Sequence, residues 1–426
     1  MANIKELLKN VALPRFNKVA YDFGGLDIIE DLKSAVLDAM AREGTLDRIT
    51  SGQSVAVTAG SREISHIDVI LRTVCDALKE RGAKPFIIPA MGSHGGASAK
   101  GQAQVIADFG ITEETMGVPV RATMETVSIG KADNGIEVFV DKYAYEADAI
   151  LPVGRIKPHT DFKGDFESGI MKMLAIGVGK QYGASICHKL GMPNMPANVL
   201  SLGKKMIAAC NVPFGIGIIE NAFHDTWKIS AVPSELIEKE EPALLLQAKS
   251  LVPVVPFDKV DIIIVEEMGK DISGTGIDSN VVGRSASLGI SRPFAERLAC
   301  FSLTDKSHGN ANGMGNCDAV TRRFFDSFEM AQTYPNAITS AETLAVKLPA
   351  VMPDDLHCVK FCIKTCTGMP DSGPRIVWIK NTLGLDEFFI SEGLANAAAH
   401  NDQLTLLGDT YEMMFEDGQF MGAKQV

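Results

Sequence analysis

A two-domain α/β protein with largely parallel sheets is the fold this sequence predicts. Three observations lead there: the length, a strand–helix rhythm that runs twice, and a proline-flanked break between the runs. At 426 residues the chain exceeds what one hydrophobic core ordinarily holds. The first run opens with SVAVTAG (54–60), a short apolar strand. SHIDVILRTVCDALKERG follows, with Ile67, Ile70, Leu71, Val74 and Leu78 at helical spacing and Gly82 at its end. KPFIIPAMG is a second strand, with the loop GSHGGAS after it, and a helix is expected from about 99 to 109. Strands separated by helices of this length are joined by crossovers and so lie parallel.

The rhythm resumes with DAILPVGRI as a strand, which runs into the polar segment KPHTDFKGDFES. A glycine-broken helical stretch (169–191), the strand FGIGIIENAF and the helix EPALLLQAKSLV complete the run. VPVVPFDKVD, with Pro253 and Pro256, reads as the linker, and DIIIVEEMG opens a second α/β unit. The boundary is placed between residues 1–255, a catalytic and cofactor-binding domain, and 256–426, a domain that closes the cleft over it. In such sheets ligands gather at the carboxyl ends of strands. Ser61–Arg62, Ser93–His94, Lys157–His159 and Met268–Asp271 all stand at such ends.

A formal charge of −12 disfavours nucleic acid or an anionic membrane as the main partner, while a few buried cations can still hold a small anion. No apolar run reaches the roughly 18 residues that span a bilayer. MANIKELLKN lacks the apolar centre of a signal peptide, so the cytoplasm is the expected compartment. Eight cysteines are too dilute for a disulfide scaffold. Cys358, Cys362 and Cys366 recur every four residues, which on a helix puts three thiols on one stripe. The same segment also alternates like a strand. A metal or iron–sulfur protein built on these cysteines is therefore a competing reading.

Five residues carry the chemistry best. His94 sits between glycines that let ligand or backbone approach closely. His159 follows Pro158 at a neighbouring strand end. Either one alone is equally a solvated loop histidine, but two such groups, each able to take and give a proton near neutral pH, suit inversion of a stereocentre. Lys172, among apolar neighbours, either snorkels to water or is a desolvated nucleophile. His188, sixteen residues on, is a metal ligand or a helix-end histidine. Arg62, between a strand and a helix, can hold a carboxylate bidentately.

This ordered set, Arg62, His94 in GSHGG, His159 in KPHTDF, Lys172 and His188, resembles the nickel-dependent lactate racemase family over about the first 250 residues. The resemblance implies that Lys172 tethers a pyridinium mononucleotide through a thioamide. It also implies that the nucleotide grips nickel in a pincer, that His188 completes the nickel coordination, and that the cofactor lies between two domains. It makes His94 and His159 the paired acid/base residues and puts Arg62 on the substrate carboxylate. The expected activity is racemisation or epimerisation of a 2-hydroxy acid by hydride transfer. This sequence departs from the family in ESGIMKMLAIG, which is bulkier than the usual tether loop and lacks its proline; Lys180 is a second tether candidate. Glycines follow His94 where the family has Arg-Pro. The C-terminal half lacks the family's substrate-holding cluster, and Lys270 in EEMGKDISGTG is expected to substitute. SGTG resembles a phosphate-cradling turn, but four residues read more readily as an ordinary turn. Asp161, Lys163, Asp165 and Glu167 enrich the loop after His159 in polar groups and favour a substrate larger than lactate, such as a sugar acid. A relative that binds a small acid without cofactor is the remaining alternative.

Overall fold

The computed structural model describes residues 2–24, 27–61 and 64–426. The chain forms two compact units. One comprises Leu26–Val252 with Thr339–Ala341; the other comprises Met1–Gly25, Pro253–Ile338 and Glu342–Val426. The first strand, β1 (Phe16–Tyr21), belongs to the latter.

In the unit built on 26–252, β2 (Ser54–Ala59) leads through helix α1 (Ile67–Glu80) to β3 (Lys84–Pro89), which pairs parallel to it. The expected α1 stripe of Ile67, Ile70, Leu71, Val74 and Leu78 is buried. These strands read as continuous apolar runs because both faces are covered. Val55 and Val57 enter one apolar cluster while Ala56 enters the other, and Ile87 divides in the same way from Phe86 and Ile88. Helix α2 (Ala99–Asp108) follows β3 and is capped by the Ser98 side chain. Strand β4 (Ala149–Leu151) pairs parallel to β2 on the side away from β3.

DAILPVGRI divides at Pro152. Its second half, β5 (Val153–Arg155), pairs with a different strand. Proline has no N–H to give a ladder, and here its carbonyl accepts from Ile216 (2.8 Å). Thr58 Oγ1 then takes the Val153 N–H at 2.9 Å, so the switch leaves no orphan amide there. Helices α3 (Ile170–Lys172), α4 (Lys180–His188) and α5 (Met195–Ala209) follow. Strand β6 (Phe214–Glu220) runs parallel to β5 and antiparallel to β7 (Thr226–Pro233), and α6 (Ile237–Leu251) closes the unit.

The other unit is a nine-stranded sheet. Its strands are β8 (Lys259–Met268), β9 (Phe294–Leu303), β10 (Ala319–Thr321), β11 (Ala350–Met352), β12 (Ile376–Ile379), β13 (Glu387–Ser391), β14 (Leu404–Glu416) and β15 (Gln419–Gln425). They lie in the order β11-β10-β9-β8-β12-β13-β1-β14-β15, parallel from β11 to β12 and antiparallel from there on. Residues 1–25, expected with the first domain, thus supply a strand between β13 and β14. Phe16 packs edge-on to Trp378 with ring centroids 5.6 Å apart. A pairing across more than 350 residues leaves no trace in local periodicity.

CVKFCIKTC is helical in α7 (Asp355–Thr365), with Cys366 as its cap. Cys358 and Cys362 are fully buried in a cluster with Ile262, Ile264, Phe301 and Trp378. Burial pushes both thiols well above their ordinary range and Cys366 up to about 12. Protonated thiols facing a hydrocarbon core are packing groups. Among the described residues no group of three histidine, cysteine, aspartate or glutamate side chains is arranged to hold a metal.

If β1 is integral to this sheet, Phe16→Ala removes a fully buried ring and costs about 3–5 kcal/mol in chemical denaturation. A loss below about 1 kcal/mol would mean that the strand is not part of the cooperative core.

Candidate active site

The loop after β3 places His94. Its two flanking carbonyls are held from below by one buried side chain: Gln102 Nε2, on α2, donates to Gly92 O (2.8 Å) and to His94 O (3.3 Å). Gly95 adopts φ +64°, and a Cβ there would lie 2.6 Å from the Gln102 backbone nitrogen, so only glycine lets the loop close onto the helix. The His94 side chain is half-buried. On the other side the loop lies against α4, where a Cβ on Gly92 would come 3.4 Å from that of Ala184.

The loop after β5 places His159. Lys157 and Ser168 exchange backbone hydrogen bonds of 3.1 and 3.2 Å, closing residues 158–167 into a tight excursion. Buried Glu167 holds the inside of it. Its Oε2 accepts from the His159 N–H (2.7 Å), its Oε1 accepts from Gly164 N–H (3.1 Å), and Lys249 of α6 pairs with it at 2.7 Å. Lys163 pairs with Glu167 at 3.6 Å and donates to His159 O at 2.7 Å. Two of the four polar groups expected to meet substrate therefore shape the loop itself. The His159 ring stacks on Phe162 (centroids 4.1 Å apart, 24°), and its Nδ1 accepts from the Asp161 backbone N–H at 3.0 Å. In the neutral ring the proton then resides on Nε2.

Lys172 ends α3 and enters a π-type turn over Met173–Gly177, a local widening of the helix that recurs at functional sites. Met173 marks where this turn sits: its methyl lies 3.4 and 3.5 Å from where a Cβ would be on Gly60, at the end of β2, and on Gly154 in β5. The Lys172 Nζ stands 5.5 Å from the Phe162 ring centroid, so one phenylalanine contacts both His159 and Lys172.

His188 closes α4. Its Nδ1 donates to the Ala184 carbonyl at 2.6 Å, which leaves the Nε2 lone pair as the ring's outward acceptor. Burial pushes its pKa down, and the charge of Lys172 acts in the same direction. The imidazole is thus neutral and within electrostatic reach of Lys172. Neighbouring Cys187 is buried and its thiol is pushed up to about 12. The second tether candidate, Lys180, is fully buried, donates to Pro89 O at 2.7 Å and lies 3.3 Å from Asp141. It braces the end of β3 against α4.

Arg62 lies outside the described residues. Lys270 is in the second unit, after β8, where its Nζ donates to Gly274 O (2.5 Å) and its N–H donates to Ser307 Oγ (2.8 Å). SGTG forms a turn there, with Ser273 and Thr275 buried.

Sequence reasoning missed Glu241. It is 1% exposed, and its Oε2 accepts from the Met171 N–H at 2.9 Å, one residue before Lys172. A signal was present. Glu241 shares the helical stripe of Ile237, Leu244, Leu245 and Ala248, all buried, and an acid on an apolar stripe points inward.

With this geometry in hand, comparison with known proteins is direct. Residues 27–199 match the model of the lactate racemase N-terminal domain. Over that stretch the chain is similar to the lactate racemase N-terminal domain. The matched stretch contains His94, His159, Lys172 and His188. The lactate racemase apoprotein from Thermoanaerobacterium thermosaccharolyticum shares the fold at 13% identity and a TM-score of 0.55, covering 86% of this chain and 98% of that one. A protein from Thermotoga maritima aligns at 11% identity and a TM-score of 0.50, over 82% and 95% of the two chains. No curated protein gives a significant match.

Burial pushes the Glu241 carboxyl from an ordinary 4.5 up to about 8. The native chain then keeps a proton that the unfolded chain has released, so the native state loses stability as pH rises through this window. Glu241→Gln removes the effect. Between about pH 6 and about pH 8.5, wild type should lose roughly 2–3 kcal/mol relative to the variant in chemical denaturation. Parallel curves would show that Glu241 ionises normally.

Proposed function

We propose that this protein is a racemase or epimerase that inverts the C2 stereocentre of a 2-hydroxy acid. In this reading it uses a nickel-pincer pyridinium nucleotide held by Lys172 and His188, with His94 and His159 as its acid/base pair. The observation that supports this most directly is the pairing of an amine with a neutral imidazole whose Nε2 lone pair is left open by the Nδ1–Ala184 bond. The donor set fits the group. A metal that arrives gripped by the nucleotide needs one protein nitrogen rather than a ring of ligands, and a half-buried amine whose charge reaches that imidazole suits a covalent tether. When bound, such a group supplies an electrophilic ring carbon that accepts hydride from the substrate.

The chain's own residues supply the rest. The C2 hydrogen of a hydroxy acid is barely acidic and leaves more easily as hydride, so in this reading the protein's own residues move the hydroxyl proton. His94 follows β3 and His159 follows β5, and in this reading they would exchange this role between the two enantiomers. His159 presents Nε2–H as a donor while Nδ1 holds the Asp161 amide. To act as base it must shift its proton to Nδ1 and release that amide. Arg62 and Lys270 are proposed as the groups that hold the carboxylate. Asp161 and Asp165 are proposed as loop groups that favour a polyhydroxy acid over lactate, while Lys163 and Glu167 are engaged within the loop. The proposed setting is the cytoplasm, with a small acid as partner.

The protein purified from a nickel-pincer-producing host should carry nickel and a nucleotide-sized mass adduct that Lys172→Ala abolishes. A panel of 2-hydroxy and sugar acids should then show inversion with deuterium retained at C2. His94→Ala and His159→Ala should each lower that rate by about 10²–10⁴-fold. Near-wild-type rates in both variants would sink the assignment. A protein that binds the acid without nickel or adduct would instead be a cofactor-free binder.

A further inference from the structure

The turn that carries Lys172 has no cap of its own. Its first residue is preceded by Gly169, which has no side chain to accept from the free amides of Ile170 and Met171. Those amides are satisfied by Glu241, seventy residues away on α6, whose carboxyl accepts from both. The space that a side chain at Gly169 would need is filled by the Glu241 carboxyl. Among the described residues Glu241 forms no ion pair, so a lone acid is held in the interior at a cost that only its two backbone bonds offset. The side chains on either amide are fixed as well. Met171 packs onto Gly203 of α5 and Ile170 onto Gly215 of β6, both without exposure. Lys172 is the next residue and the first to leave this anchored pair.

We propose that Glu241 is a positioning residue for Lys172: it replaces the missing cap of the Lys172 turn and so sets the direction in which the amine leaves the backbone. Its consequence for catalysis rests on the reading of Lys172 as the cofactor-holding amine. The anchoring itself does not.

Amine acylation by N-hydroxysuccinimidyl acetate, followed by peptide mass spectrometry on the cofactor-free full chain, tests this. Glu241→Leu should speed labelling of Lys172 by about fivefold while exposed Lys100 is unaffected, because a turn without its cap opens more often. Glu241→Gln, which keeps an acceptor oxygen, should stay within about twofold of wild type. Equal Lys172 rates in folded wild type and Glu241→Leu would overturn the proposal, and so would Glu241→Gln behaving like Glu241→Leu. If Glu241→Leu does not fold, hydrogen exchange of the wild type decides. Protected Ile170 and Met171 amides support the anchor, and exchange as fast as in an open loop removes it. In the loaded enzyme, Glu241→Leu should lower kcat about tenfold with KM within about twofold. A wild type that inverts no hydroxy acid would sink the functional reading and leave the labelling result to judge Glu241.

Discussion

Parallel pairing of β2 with β3 and β4 is the constraint on which the rest of the site depends. It sends the chain out of each strand on the same rim, and the β4-to-β5 switch at Pro152 keeps the His159 loop there too. The Lys172 turn then seats there through Met173, whose methyl lies against Gly60 after β2 and Gly154 within β5. Nothing in the loops themselves could gather these groups, since their residues lie up to ninety-four positions apart.

Loops of this kind expose backbone groups that water would otherwise solvate, and the unit satisfies them with buried polar side chains. Gln102 holds the two carbonyls around His94. Glu167 holds the amides of His159 and Gly164, and Lys249 neutralises it from α6. Lys180 takes the carbonyl at the end of β3. Each bond is worth only about 1 kcal/mol net, but losing one partner strands a buried group at about 1–3 kcal/mol. The backbone positions of the half-buried His94 and His159 are therefore set by side chains from other parts of the chain. The same arrangement explains why the loop after His159 misleads when read by composition: its charges look like ligand contacts and are half loop scaffold.

Burial acts in opposite directions on the pKa of the imidazole and of the thiols. His188 is kept neutral by burial and by Lys172, the state in which an imidazole donates a lone pair. The cysteines are kept protonated by the same burial, which is why Cys358 and Cys362 serve as core rather than as ligands.

By itself the sequence determined the α/β class, the strand ends and the order of His94, His159, Lys172 and His188. Hydrophobic runs, helical spacing and turn glycines are local properties, and a strand's carboxyl end follows from them. Only the tertiary structure decided three other points. It inserted β1 into the C-terminal sheet, left Lys180 buried against Asp141, and brought Glu241 under the Lys172 turn. Each depends on contacts between segments far apart in the chain, and which buried polar atom meets which backbone amide is settled by packing rather than by periodicity.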